Sequence, residues 1–211
     1  MSFDAKISDL KFHIDGLVPK NLCEYFINFY ENNIDYAISE SSYKYKTKKF
    51  EKDNFKCLNL SLLYLKNKKY KKPLELAKTY ISIMITNYVL HIQKNICPTF
   101  NSRLISKSNN IRIIKYEKEE CIKDHCDVGG TIRASCTLNL NEDYEGGEFR
   151  FFDGRHKVRL GTGDTMFFPA EPIWIHGTEK ITKGTRYAIN CFLTLSDNKI
   201  QQMKEKGFYE I

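Results

Sequence analysis

The sequence predicts an α+β fold, mainly β: a β-sandwich or jelly roll braced on one outer face by N-terminal helices. Three observations carry this reading. The first half holds apolar residues at helical spacing, the second half alternates polar and apolar residues with a period of two, and glycines punctuate the alternating segments. With 211 residues, 42% of them hydrophobic, the chain is long enough to bury one substantial core.

In the first half, Pro19 stands where a helix can start, because its missing N–H has no helical partner there. Leu22, Tyr25, Phe26 and Phe29 recur behind it at helical spacing. A second helix is expected from Pro73. Its apolar stripe is Ala77, Ile81, Met84, Ile85, Tyr88 and Ile92, with Glu75, Lys78, Ser82 and Gln93 opposite. Between these helices, lysines crowd the stretch from Lys44 to Lys72 among Tyr43, Tyr45, Phe50, Phe55, Tyr64 and Tyr70. We read this stretch as a solvated face and as a candidate mobile lid. With a net charge of +7 it is also a candidate nucleic-acid surface, but no helix-turn-helix, finger or RNA-binding motif accompanies the charge.

From Ile111 onward the pattern is that of short strands. Ile111 to Tyr116 is rich in β-branched residues. In Thr131 to Leu140, Ile132, Ala134, Cys136, Leu138 and Leu140 alternate with Thr131, Arg133, Ser135, Thr137 and Asn139, so one face is apolar and the other polar. Further strands are expected at Glu148 to Phe152, Lys157 to Leu160, Thr165 to Phe168, Ile173 to Ile175 and Tyr187 to Leu195. The organisation expected is a support region, residues 1–105, packed on a β core, residues 106–211, within one folded domain.

Composition narrows the function classes. The N-terminal segment carries Asp4 and Asp9 and lacks the apolar core of a secretory signal. The longest uncharged run, Thr79 to Gln93, is too short to span a bilayer. Seven scattered cysteines without a C-x-x-C pair argue against a disulfide framework or a structural zinc site. The expectation is a soluble, cytoplasmic protein with no membrane partner; its oligomeric state is left open.

The candidate chemistry starts at His125-Cys126-Asp127, followed further on by His176. Two histidines and one carboxylate form the facial triad of non-haem iron oxygenases. They hold Fe(II) on one face of an octahedron and leave three positions open, two for a chelating co-substrate and one for oxygen. Residues two apart on an extended segment share a face, so an H-x-D pair can aim both side chains at one point. Cys126 then points away and is read as packing. Downstream, G-T-G-D-T-M-F-F-P (Gly161 to Pro169) is a turn feeding an apolar strand, and Arg186 opens the strand R-Y-A-I-N-C-F-L. A buried arginine needs a partner, which a dicarboxylate would supply through a bidentate pair.

Several segments in order, I-I-K-Y before H-C-D, then L-N-L-N-E-D-Y-E-G-G-E-F-R-F, G-D-T-M-F-F-P, I-H-G-T and G-T-R-Y-A-I, make the stretch from Ile111 to Leu195 similar to a known family. It resembles the prolyl 4-hydroxylase-like branch of the Fe(II)/2-oxoglutarate dioxygenases, and D-Y-E-G-G with G-T-R-Y also resembles the catalytic domain of procollagen lysyl hydroxylases. The resemblance implies a double-stranded β-helix of the cupin-like jelly-roll kind. It implies that His125, Asp127 and His176 ligate iron and that Arg186 pairs with the distal carboxylate of 2-oxoglutarate. Tyr116 matches a family tyrosine near that co-substrate, and Thr137 and Asn139 point into the barrel beside it. Asn139 departs from the pattern, because prolyl hydroxylases usually carry a tyrosine there; Thr137 or Tyr116 is the candidate replacement. Arg133 and Trp174 are candidate pocket residues. The cofactors implied are Fe(II), 2-oxoglutarate and O2, with ascorbate as a reductant. The activity implied is hydroxylation of a prolyl residue in a protein or peptide. The alternatives are a lysyl residue, a nucleobase or small molecule, or a non-catalytic binding protein on the same fold.

Overall fold

The structure, a computed structural model, describes residues 6–44, 48–127 and 130–206. Its N-terminal half is less purely helical than the patterning suggests. Strand β1 (Phe12–Ile14) precedes helix α1 (Lys20–Glu31), which starts directly behind Pro19. A hairpin of β2 (Ser41–Lys44) and β3 (Lys49–Lys52) follows, and then β4 (Lys56–Asn59). Two helices complete this half: α2 (Leu60–Lys66) and the long α3 (Lys71–Asn95), which carries Pro73 in its first turn. The buried positions of α3, among them Ala77, Ile81, Met84, Tyr88 and Ile92, are spaced by three and four, as the sequence stripe requires. Helix α2 has no comparable stripe. It is set by its cap, Asn59, whose side chain accepts from the Leu62 N–H at 3.0 Å.

The second half supplies most of the strands. They are β5 (Lys107–Tyr116), β6 (Ile132–Asn139), β7 (Glu145–Gly146), β8 (Phe149–Phe151) and β9 (His156–Val158). Then come β10 (Thr165–Pro169), β11 (His176–Thr178), β12 (Ile181–Lys183) and β13 (Arg186–Thr194), before helix α4 (Asp197–Glu205). The expected strand over Ile173 to Ile175 is not formed. The Trp174 N–H instead closes a turn onto the Glu171 carbonyl at 2.8 Å, around Pro172, which has no N–H to give a ladder.

The strands form two layers. The main sheet is antiparallel with the order β1-β10-β6-β13-β5-β4, and the second layer holds β11-β8-β9 beside the β12-β7 pair. This is an α+β, mainly β jelly roll. Its outer face carries Ala134, Cys136 and Leu138 into the large core beneath α3. Tyr88 of α3 stacks on Phe167 at 3.7 Å between ring centroids, and the Thr165 hydroxyl meets Met84 Sδ at 3.2 Å. The opposite face of the sheet looks into the space between the layers.

Both edges of the main sheet, β1 and β4, come from the N-terminal half. β4 pairs with β5 from Lys56↔Lys115 to Asn59↔Arg112. This corrects the lid reading for part of the Lys44 to Lys72 stretch: Cys57, Leu58, Leu60 and Leu63 are buried, so β4 and α2 belong to the core. Tyr45 and Lys46, also in that stretch, lie outside the described residues. Among the described residues, no helix is long and apolar enough to cross a membrane.

Candidate metal centre and cavity

His125 sits outside any regular strand, yet its backbone is fixed to β11. The His125 N–H donates to the His176 carbonyl and the His176 N–H to the His125 carbonyl, each at 2.9 Å. This reciprocal pair places the two imidazoles side by side, 4.4 Å apart between ring centroids. Each Nδ1 then faces a carbonyl, that of Lys123 at 2.9 Å for His125 and that of Trp174 at 3.0 Å for His176. A carbonyl can only accept, so the proton sits on Nδ1 and the lone pair on Nε2. The turn that replaces the expected strand at Ile173 to Ile175 is therefore what orients His176.

Both Nε2 atoms converge on Asp127. His125 Nε2 lies 3.1 Å from one carboxylate oxygen and His176 Nε2 lies 3.5 Å from the other. The three ligand atoms are all within 4.8 Å of one another. With metal–ligand bonds of about 2.1 Å, neighbouring ligands on an octahedral face stand about 3 Å apart. The donor set and its spacing fit an octahedral divalent iron. The Ser135 hydroxyl donates to the second Asp127 oxygen, a contact between loop and β6 that sequence spacing does not reveal. Burial pushes the Asp127 carboxyl upward, but His176, His125 and Ser135 together hold it below the usual carboxylate range. Burial pulls His176 down to about 4 against the attraction of Asp127. Both groups are thus in the protonation state that a metal needs.

His13, Asp15 and Asp164 also come within 4.8 Å of one another. There Asp164 takes the Gly16 and Gly161 N–H groups at 2.8 and 2.7 Å, which accounts for it as a turn residue.

The cluster opens into a cavity of about 510 Å³ between the layers. Phe55, Phe168 and Phe192 contribute apolar walls, and Arg112, Asn190 and Thr137 a polar one. Thr137 is tied to Asn190, its hydroxyl donating to the amide oxygen at 2.7 Å. Glu40, Ser41 and Asp53 line the cavity from the N-terminal half.

Arg186 opens β13 opposite Tyr116 and is 1% exposed. Its Nε donates to Asn139 Oδ1 at 3.0 Å and its Nη1 to the Gly147 carbonyl at 3.3 Å, both neutral acceptors. Phe149 and Tyr116 cover its faces, with Cζ 4.9 and 5.4 Å from their ring centroids. Among the described residues it has no carboxylate partner within 4.0 Å. The Tyr116 hydroxyl beside it is buried and makes no hydrogen bond. An unmatched guanidinium next to an orphaned hydroxyl fits the carboxylate end of 2-oxoglutarate. Neither group lines the cavity; Phe149 does, and its ring also lies against the Arg186 guanidinium.

Asn139 is completely buried, and its amide donates to the carbonyls of Asn141, Leu160 and Gly161 at 2.6 to 3.1 Å. Its oxygen accepts from the Tyr144 hydroxyl at 3.3 Å and faces Arg186. The departure from the family tyrosine has a structural meaning: Asn139 holds the guanidinium. Of the remaining candidates, Arg133 donates to its neighbours' carbonyls at Gly130 and Ile132. Trp174 packs in the apolar cluster with Phe151 and Phe168. Neither lines the cavity.

Two antiparallel layers with a two-histidine, one-carboxylate cluster between them define a jelly roll with a candidate metal site. Residues 111–194 match the model of the 2OG-Fe(II) oxygenase superfamily. A prolyl hydroxylase from Trichoplax adhaerens, solved with a hypoxia inducible factor oxygen degradation domain peptide fragment, superposes with a TM-score of 0.66 at 11% identity. The match covers 93% of this chain and 87% of that one. The viral collagen prolyl hydroxylase of Paramecium Bursaria Chlorella virus-1, solved as its 2OG complex, gives 0.53 at 13% identity, covering 89% and 97%. At these identities the likeness establishes the fold. In sequence, the chain is 32% identical over 127 residues to 2-oxoglutarate and iron-dependent oxygenase domain-containing protein 3 of Xenopus tropicalis, covering 57% of this chain and 37% of the relative. It is 39% identical over 70 residues to a PKHD-type hydroxylase of Beijerinckia indica, covering 29% and 30%. The chain thus spans about a third of the length of these curated relatives.

Proposed function

We propose that the chain is an Fe(II)- and 2-oxoglutarate-dependent oxygenase that hydroxylates a prolyl residue of a protein or peptide. The observation that carries the proposal is the convergence of two lone-pair-bearing Nε2 atoms and one carboxylate at the cavity, each His held by a carbonyl behind it. His125, Asp127 and His176 would hold the iron. Arg186 and Tyr116 would take the distal carboxylate of 2-oxoglutarate, with Asn139 keeping the guanidinium in place and Phe149 the side chain that gives way. Thr137 lines the same cavity and stays tied to Asn190. When bound, the iron with 2-oxoglutarate and O2 supplies the oxidation, one oxygen atom going to a substrate C–H bond and the other to succinate as CO2 leaves. The protein's own part is to bind, to orient and to keep water out. The apolar walls of Phe55, Phe168 and Phe192 serve that exclusion.

The prolyl reading is supported by a fold shared with prolyl hydroxylases, one of them solved with a peptide fragment, and by similarity to a PKHD-type hydroxylase. Seven free cysteines support a reducing compartment, the cytoplasm, where Fe(II) also persists. The test is incubation with Fe(II), 2-oxoglutarate and three probes: a proline-rich peptide, a lysine-containing collagen-like peptide and single-stranded DNA. Gain of one oxygen by the proline-rich peptide, matched by succinate, is the expected result. Oxidation confined to either of the other probes overturns the prolyl assignment while keeping the oxygenase.

A further inference from the structure

The inward face of the main sheet carries a second arginine, which the proposed chemistry leaves unused. Alternation along β5 puts Arg112, Ile114 and Tyr116 on one face. The register sets Tyr116 opposite Arg186, Ile114 opposite Ala188, and Arg112 opposite Asn190, which in turn faces Thr137 on β6. The two arginines share a face but sit about 13 Å apart along the strands, at roughly 3.3 Å per residue. They serve different ends of the space between the layers, and Arg112 is the one that lines the cavity with His125, Asp127 and His176.

Arg112 is clamped. Its Nη1 donates to Glu40 Oε2 at 2.5 Å, and its Cζ lies 4.9 Å from the centre of the Phe192 ring. Its side chain is 13% exposed, and its Nε is buried without a hydrogen-bond partner. A fixed, buried N–H donor with no acceptor is unfavourable unless a ligand supplies the acceptor. The charge around it says what kind. Glu40 already neutralises the guanidinium, and Asp53 adds another carboxylate to the same cavity. An anionic ligand would be repelled there, whereas a neutral carbonyl oxygen adds no charge.

We propose that Arg112 positions the substrate: its Nε–H takes a main-chain carbonyl of the peptide entering the cavity. This contact fixes which C–H bond faces the His125–Asp127–His176 cluster. The proposal rests on the peptide-hydroxylase reading, and its test separates the two.

The experiment uses the Fe(II)-loaded protein with a proline-rich peptide as probe and the variants Arg112→Lys and Arg112→Gln. Lysine keeps a cation for Glu40 but has no N–H at the Nε position. Both variants are expected to raise the KM for the peptide about tenfold, the value of one hydrogen bond from a charged donor, with the KM for 2-oxoglutarate unchanged. A purely structural or charge role would instead be rescued by lysine. In the wild-type protein, the Arg112 Nε–H NMR resonance, assigned by its loss in Arg112→Lys, should shift when the peptide is added; this holds even if a variant folds poorly. Full rescue by lysine, or a raised KM for 2-oxoglutarate with the peptide KM unchanged, overturns the proposal. So does an unmoved resonance with a peptide that is turned over. Wild-type protein that oxidises no peptide at all refutes the peptide reading itself, and this role with it.

Discussion

His125 and His176 exchange main-chain hydrogen bonds, and the chemistry open to the site starts from that pairing. The H-x-D pair and the distant histidine are legible in sequence because residue type and spacing express them. What is not legible is what holds them: the carbonyls of Lys123 and Trp174, the Ser135 hydroxyl, and the Asn139 oxygen on Arg186. These contacts join segments far apart in the chain. Arg112 is an intermediate case, since sharing a face with Ile114 and Tyr116, two and four residues on, would have placed it inward. Two expectations belong at this scale. His176 titrates near 4 in the fold instead of at the ordinary 6.5, so the unfolded chain protonates first as pH falls. Its contribution is complete above pH 6.5 and is lost on the way to pH 4, amounting to at most about 3 kcal/mol. Asp127, also lowered, loses its contribution at still lower pH. Urea midpoints of the metal-free protein should therefore fall between about pH 7 and pH 5; a midpoint independent of pH in that range contradicts the burial of a neutral His176. Separately, Asn139→Leu strands the Arg186 Nε–H and the Tyr144 hydroxyl and removes the donor from the Asn141, Leu160 and Gly161 carbonyls. It should cost about 1–3 kcal/mol in thermal or urea unfolding and raise the KM for 2-oxoglutarate severalfold. Loss of stability with an unchanged KM would confine Asn139 to a packing role.

At the scale of elements, the alternation of β6 and the stripe of α3 were readable because each packs one face on a core. Strands β1 and β4 were not, being three and four residues long, too short to show a period. The strand wrongly expected before His176 shows the same limit from the other side: three apolar residues behind a proline resemble a strand but form a turn. Glycines at the β7 turn carry a firmer signal. Gly146 has φ +80°, and a Cβ there would lie 2.0 Å from the Lys180 carbonyl oxygen. Gly147 has φ +74°, and a Cβ there would come within 3.3 Å of Arg186 Cδ. Gly146→Ala is expected to lower stability by about 1–3 kcal/mol, through strain at positive φ and the contact with backbone. A melting temperature equal to that of the wild type would show that the β7–β12 pair adjusts freely. On the opposite side of the sheet, Tyr88→Ala removes the ring stacked on Phe167 and should cost about 3–5 kcal/mol.

For the whole molecule, the N-terminal half is a structural part of the jelly roll. It supplies both edges of the main sheet, three cavity-lining side chains in Glu40, Ser41 and Asp53, and the helix that covers the outer face. We therefore propose that residues 1–105 and 106–211 fold as one cooperative unit; residues 106–211 alone should lack a cooperative melting transition, and a sharp transition would show an autonomous core. The basic, aromatic-rich stretch has local partners in the structure: Lys68, Lys69 and Lys72 lie over the rings of Tyr64, Tyr70 and Tyr25 at 3.9, 4.9 and 5.5 Å. These contacts favour its reading as a solvated face. The most direct test of the oxygenase assignment is conversion of 2-oxoglutarate to succinate by the Fe(II)-loaded protein, compared with the metal-free protein and with His125→Ala. Succinate formed by the wild type, stimulated by a proline-rich peptide and lost in both controls, is the expected result. Equal turnover in metal-free His125→Ala would contradict the assignment of His125, Asp127 and His176 as its metal centre.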